Sequence, residues 1–250
     1  MDKLLESVNK IIDLLRKSSH AVVITGSGII DSASSGTEYN SSADRLPTMV
    51  SPGDFTINRY KGGSGPFYEE GAPFFSLLYK AKPNYVHYKL AALEKRGLVK
   101  TIITYNIDGL HKMAGSKNVL ELRGTIRTAT CTQCEYHAAT EELIESTGEE
   151  QLPLRCPDCG KPMKPDVALE GDPPPPDYHK AMQEAGKADL IIVLGLDMHI
   201  FTDKELIADQ KELVVINDGP THFDQAVKVA LNEQPIKVME LIMEQLDSGS

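Results

Sequence analysis

The feature that most constrains the fold of this chain is a set of short apolar runs. Each run ends in a polar or glycine-rich loop. Residues 99–103 lead into the loop at 104–111, and residues 119–122 lead into Arg123 and Gly124. Residues 189–194 form a nearly continuous apolar run, which is typical of a parallel strand covered on both faces. The pattern predicts an α/β fold, a Rossmann-like doubly wound parallel sheet with a smaller module, and ligands bind at the carboxyl edge of such sheets.

The cysteines give a second constraint. All four lie in two Cys-x-x-Cys pairs, Cys131 with Cys134 and Cys156 with Cys159. The spacing lets both thiolates of a pair reach one metal, so it predicts a tetrahedral zinc site that is structural because no coordination position stays open. Redox-active dithiols are the alternative. We expect loss of the metal to unfold a zinc-binding insertion at 128–163.

Length, charge and composition limit the classes of function that the chain could have. A chain of 250 residues can bury a full core, as a single domain over 1–250 that includes the insertion. The formal charge of −10 argues against direct nucleic-acid binding and favours basic partners such as lysine-rich tails. No apolar run is long enough for a membrane span, and the first residues are unlike a signal peptide. Cysteines used only in metal-type pairs fit a reducing, cytoplasmic location.

Two further motifs carry a family resemblance. Asn106-Ile107-Asp108-Gly109-Leu110-His111 and Gly115-Ser116-Lys117-Asn118-Val119, together with the four cysteines, resemble the sirtuin family of NAD-dependent protein-lysine deacylases. The resemblance extends over roughly residues 20–245. It implies NAD as the cofactor, transferase chemistry and an acylated protein or peptide as the substrate. It also implies that Asn106 and Asp108 line the pocket that receives nicotinamide, whereas from the residues alone both could simply cap a turn.

The first apolar run, residues 21–25, ends in Gly26-Ser27-Gly28. A glycine-rich turn after a first strand suits phosphate binding, because backbone N–H groups can approach an anion without obstruction by a Cβ atom. The resemblance places the cofactor against Gly26, Ser27, Gly28, Asn106, Asp108, Gly195 and Asn217.

The chain departs from the family pattern in several places. Residues 35–40 lack the family's Pro-Asp-Phe-Arg segment, within a stretch at 36–81 that takes the place of a cofactor loop and a helical module. Leu196 and Asp197 replace two serines, and Glu170 replaces a phenylalanine. A leucine cannot bond to phosphate, and an inward-pointing carboxylate would repel it.

Arg123 stands where the resemblance places the catalytic histidine. Arginine is never deprotonated in proteins and cannot accept a proton, and loss of a general base costs about 10²–10⁴-fold in rate. Three hypotheses follow. The chain is a deacylase or ADP-ribosyltransferase with altered residues, or it is a non-catalytic module that binds a nucleotide or a protein. The third hypothesis is an enzyme whose pocket is adapted to another ligand, so that Arg123 holds an anionic group. Residue chemistry favours a deacylase with weak or lost activity.

Overall fold

The computed structural model describes residues 2–30, 60, 68, 75, 78–147, 153–196, 204–207, 212–221, 224 and 227–248. Most of the stretch at 36–81 and all of the altered segment at 35–40 lie outside the described residues, and so does Asp197. Within the part of the chain that is described, no helix is long and apolar enough to cross a membrane.

Six helices and nine strands are described. The helices are α1 (Asp2–Lys17), α2 (Tyr85–Lys95), α3 (Leu110–Met113), α4 (Thr140–Thr147), α5 (Pro176–Lys187) and α6 (Pro235–Ser248), with 3₁₀ turns at Ser27–Ile29 and Lys204–Leu206. The strands are β1 (Ala21–Thr25), β2 (Thr101–Thr104), β3 (Val119–Glu121), β4 (Gly124–Cys131), β5 (His137–Ala139), β6 (Met163–Val167), β7 (Leu190–Leu194), β8 (Leu213–Asn217) and β9 (Val229–Asn232).

Six strands form the predicted doubly wound sheet. Their order is β3-β2-β1-β7-β8-β9 and all neighbours are parallel, so the direction of winding reverses between β1 and β7. Every residue of β1, β2 and β7 is buried. One face packs on α1, α2 and α6 and the other on α5. The Rossmann-like prediction is confirmed, and ligands bind such sheets where the winding reverses.

Helix α2 begins with a capping box. Asn84 is the N-cap, since its side chain accepts a hydrogen bond from the His87 N–H while His87 bonds back to the Asn84 N–H. The Asn84 Nδ2 also donates to the Ile29 carbonyl at 2.7 Å. The cap therefore joins α2 to the turn that follows β1.

A second, antiparallel sheet has the order β5-β4-β6. Its long strand β4 begins at Gly124, beside the carboxyl edge of the large sheet, and ends at Cys131. Tyr60, Tyr68 and Phe75 pack with Ile126 and Val167 to form its aromatic core. The small sheet thus runs from the candidate site to the cysteine cluster.

Candidate functional site

The predicted site residues lie at the carboxyl edge of the large sheet. Backbone pairing continues past the strand ends there: the Gly26 N–H donates to the Leu194 carbonyl at 3.3 Å, and the Tyr105 N–H donates to the Thr25 carbonyl at 3.0 Å. These bonds bring the loops after β1, β2 and β7 together at the point where the winding reverses.

The glycines allow two of these loops to meet backbone to backbone. The Gly28 N–H donates to the Gly195 carbonyl at 2.7 Å. A Cβ on Gly195, whose φ is +61°, would lie 2.5 Å from the Gly28 carbonyl carbon, and a Cβ on Gly26 would lie 2.6 Å from Leu196 Cδ1. The Gly28 N–H is thus occupied within the protein, which leaves Ser27 as the residue of this loop whose N–H bonds to no described acceptor. Phosphate contact at Gly26, Ser27, Gly28 and Gly195 stays a prediction.

Asn106 connects the loop after β2 to the loop after β1. Its Nδ2 donates to the Gly26 carbonyl at 3.2 Å, and its main-chain N–H donates to Thr104 Oγ1 at 3.1 Å. The residue is 8% exposed. No described residue bonds to its Oδ1, so this oxygen is available to a ligand.

Asp108 is the most perturbed carboxyl group at this edge. It is 2% exposed; its Oδ1 accepts from the Leu110 N–H at 2.9 Å, whereas its Oδ2 is buried without a partner among the described residues. Burial raises the pKa of Asp108 to about 6, although the Leu110 N–H and the charge of Arg127 act to lower it. A buried acceptor with no partner usually has a functional reason, and this oxygen suits a ligand's N–H group.

Arg123 lies in the turn between β3 and β4. Its main-chain carbonyl accepts from the Ala168 N–H at 2.9 Å, and its side chain is exposed. No described residue forms a hydrogen bond or an ion pair with its guanidinium group. The structure therefore places a free cation beside the strand ends, although no contact joins it to Asn106 or Asp108.

A buried histidine pair lies behind the loop and was not predicted from the sequence. His111 Nε2 is 2.9 Å from Thr25 Oγ1, and the His111 ring lies 4.7 Å from the His87 ring. Burial lowers the pKa of His87 to about 4 and that of His111 well below its ordinary value, so both rings are neutral. The pairing arises from contacts between α2 and α3, and no local pattern could indicate it.

Asn217 is the last residue of β8 and lies at the same edge. Its carbonyl accepts from the N–H groups of Gly219 and Glu233 at 3.0 and 2.9 Å. No described residue bonds to its side chain, which leaves the predicted ribose contact open as a prediction.

The four cysteines form a candidate metal centre. Their Sγ atoms all lie within 4.8 Å of one another, and three of the pairs are 3.5 Å apart. Each pair closes a similar turn: the Glu135 N–H donates to the Cys131 carbonyl and the Gly160 N–H to the Cys156 carbonyl, with positive φ at both donors. No disulfide joins them. Four converging thiols fit a structural zinc ion with no open coordination position.

Comparison with known proteins agrees with this geometry. Residues 21–202 match the model of the Sir2 family. The chain is 35% identical to an NAD-dependent protein deacetylase of Thermodesulfovibrio yellowstonii, over 97% of this chain and 96% of that protein. It is 34% identical to an NAD-dependent protein deacylase of Archaeoglobus fulgidus, over 96% of each.

Solved structures show the same likeness. A structure of Sir2 bound to an acetylated peptide superposes with a TM-score of 0.80 at 30% identity, over 96% of this chain and 98% of that one. A structure of Sir2 with a p53 peptide and NAD⁺ gives a TM-score of 0.78, also at 30% identity and over 96% and 98% of the two chains. The chain belongs to the Sir2 family, and its fold is that of a sirtuin.

Proposed function

We propose that this sirtuin-fold protein binds NAD through a retained nicotinamide pocket and that its deacylase activity is weak or absent. The observation that carries the proposal is the buried Asp108 Oδ2, to which no described residue donates a hydrogen bond. A bound NAD would supply an activated ribose and a nicotinamide leaving group. The chain's own residues would bind and orient it.

The nicotinamide carboxamide group is the ligand that these residues suit. With a pKa near 6, Asp108 is mostly ionised at neutral pH, so its Oδ2 can accept from the carboxamide NH₂. The Asn106 Oδ1 offers a second acceptor, while its Nδ2 is held by the Gly26 carbonyl at 3.2 Å. The fixed donor keeps the amide oriented before the ligand arrives, which lowers the entropic cost of binding.

Proton abstraction is the step that this chain lacks. Arg123 cannot accept a proton at any pH at which the protein is folded. His111 does not replace it, because its Nε2 already contacts Thr25 Oγ1 and the ring is buried. Loss of a base costs about 10²–10⁴-fold. We therefore expect ligand binding to persist while acyl removal is slow.

The substrate would be an acylated protein or peptide. Relatives of this chain have been solved with acetylated and propionylated peptides. The formal charge of −10 would favour a lysine-rich segment around the acylated residue.

The test compares steady-state removal of the acetyl group from an acetyl-lysine peptide, with NAD present, by the wild type and by Arg123→His. We expect a gain of about 10²–10⁴-fold in Arg123→His. Arg96→His is the matched control, since Arg96 forms an exposed ion pair with Asp247. Wild-type turnover equal to that of Arg123→His would refute the loss of activity, and failure of both proteins to bind NAD in calorimetry would refute the retained pocket.

A pocket adapted to another ligand is the second candidate, favoured by Arg123, whose guanidinium group is exposed and bonds to no described residue. In that case an anionic ligand would bind there, such as a phosphate or the carboxylate of an acidic acyl group. Inorganic phosphate or a succinyl-lysine peptide would then raise the melting temperature of the wild type, and Arg123→Ala would abolish the increase. A silent protein-binding module would show neither effect.

A further inference from the structure

Arg127, on β4, donates hydrogen bonds to three main-chain carbonyl groups of the described residues. Its Nε donates to the Asp108 carbonyl at 2.7 Å, and its Nη1 and Nη2 donate to the carbonyls of Tyr79 and Leu78, both at 3.3 Å. The side chain is 15% exposed. A further ion pair with Glu141 at 3.5 Å involves a mostly exposed carboxylate and adds little. One guanidinium group therefore joins the loop after β2 to the segment that precedes α2.

The loop packs closely on this side chain. A Cβ on Gly109, whose φ is +70°, would lie 2.5 Å from Arg127 Cγ. The preceding residue of β4 adds a backbone bond, because the Ile126 N–H donates to the Ile107 carbonyl at 2.9 Å. Two consecutive residues of β4 thus hold two consecutive carbonyls of the loop, those of Ile107 and Asp108.

We propose that Arg127 is a positioning residue, which fixes Asp108 through its carbonyl group and keeps the free carboxylate oxygen available as a hydrogen-bond acceptor. The inference rests on the proposed function, since that acceptor is the group assigned to nicotinamide. Arg127 lies outside the motifs that carry the family resemblance, and its three acceptors lie 19 to 49 positions away along the chain.

Charges around Asp108 act in opposite directions. Glu121, at the end of β3, raises the pKa of Asp108, and Arg127 lowers it, while burial is the largest influence and raises it to about 6. Lys112 partly neutralises Glu121 through an ion pair. The neighbouring His111 is neutral, because burial holds its pKa well below the ordinary value. Arg127 is therefore the cation that favours an ionised Asp108.

A purely structural role and a positioning role differ in their dependence on pH. If Arg127 only tightens the loop, its loss weakens nicotinamide binding by the same factor at every pH. If it also keeps Asp108 ionised, its loss raises the pKa of Asp108 by about one pH unit. If the pKa of Asp108 rises from about 6 to about 7, the ionised fraction of Asp108 falls about fivefold at pH 6 and stays nearly unchanged at pH 8.5.

The experiment measures the affinity of nicotinamide by calorimetry between pH 5.5 and 8.5, and the Asp108 carboxyl titration by carbon-13 NMR, in the wild type and in Arg127→Met. In Arg127→Met, we expect the midpoint of the Asp108 titration to rise by about one pH unit. We also expect the loss of nicotinamide affinity, relative to the wild type, to be about fivefold larger at pH 6 than at pH 8.5. Arg127→Lys keeps the charge and should return the midpoint close to that of the wild type. Arg16→Met, an exposed change on α1, is the control.

An unchanged Asp108 midpoint in Arg127→Met overturns the inference. If that variant does not fold, Arg127→Gln, which keeps an amide donor but no charge, takes its place in both measurements. A wild type that binds neither nicotinamide nor NAD refutes the proposed function, whereas the carbon-13 titration of Asp108 still decides whether Arg127 keeps that carboxyl group ionised. The two failures are therefore distinguishable.

Discussion

Gly195→Ala should strongly destabilise the junction on which the candidate site is built. Gly195 follows β7 with φ +61°, and its carbonyl accepts from the Gly28 N–H at 2.7 Å. An added Cβ would lie 2.5 Å from the Gly28 carbonyl carbon and 2.6 Å from the Ile29 nitrogen. Both are main-chain atoms and cannot rotate away, so the loops after β1 and β7 must separate.

The free energy of unfolding that Gly195→Ala should lose has two parts. Left-handed backbone costs a residue with a Cβ about 1–2 kcal/mol. Forcing an extra carbon into a packed region adds about 1–3 kcal/mol. The free energy of unfolding should therefore fall by about 2–5 kcal/mol, a large part of the usual 5–15 kcal/mol.

Gly97→Ala separates the two parts. Gly97 also has a positive φ, +77°, but no atom lies within 4 Å of its ideal Cβ position. It should therefore lose only the backbone part, about 1–2 kcal/mol. Urea unfolding of both variants, compared by midpoint and slope, gives the difference. Equal destabilisation of the two variants would refute the close approach of the two loops.

Two other predictions follow from the structure. Asp189 accepts hydrogen bonds from Ser18, Ser19 and His20; burial raises its pKa, but these bonds hold it well below the ordinary value. Because the folded pKa lies below the unfolded value of about 3.9, its stabilisation is complete above about pH 5 and is lost as the pH falls through the folded pKa. Asp189→Asn should thus cost about 2 kcal/mol at pH 7 and about 1 kcal/mol less at pH 3 in urea unfolding, because at pH 3 the carboxyl group is mostly protonated in the unfolded chain only; an equal cost at both would contradict this reasoning. Metal removal by a chelator should release one zinc per chain and unfold the small sheet, as measured by hydrogen exchange at β4 and β6, and unchanged protection there would rule out a structural zinc.

Local patterns indicated four of the six strands of the large sheet. The apolar run at 21–25 became β1 with the predicted bounds, and the run at 189–194 became β7 one residue later. A parallel strand that is buried on both faces consists almost entirely of apolar residues, and such a run can be recognised in the sequence. Helix α5 was not predicted, because its first residue, Pro176, ends a run of four prolines, and such a run is typical of a loop.

The candidate site was predicted only in part. The loops that carry Asn106, Asp108 and Gly28 were expected at the carboxyl edge, and they lie there. That the Gly28 N–H is occupied by Gly195 could not be foreseen, since the two residues lie 167 positions apart and a glycine-rich turn looks the same whether it faces a phosphate or another loop.

The sequence by itself determined the family, the parallel sheet, the convergence of four cysteines and the presence of a cation at position 123. All of these depend on local periodicity, on ligand spacing or on residue identity. Only the tertiary structure decided which polar atoms remain available to a ligand: no described residue bonds to Asp108 Oδ2, whereas the Gly28 N–H donates to Gly195 and Arg127 donates to the Asp108 carbonyl. The physical reason is that each of these facts is a balance of hydrogen bonds between distant segments, and that balance exists only once the chain has packed.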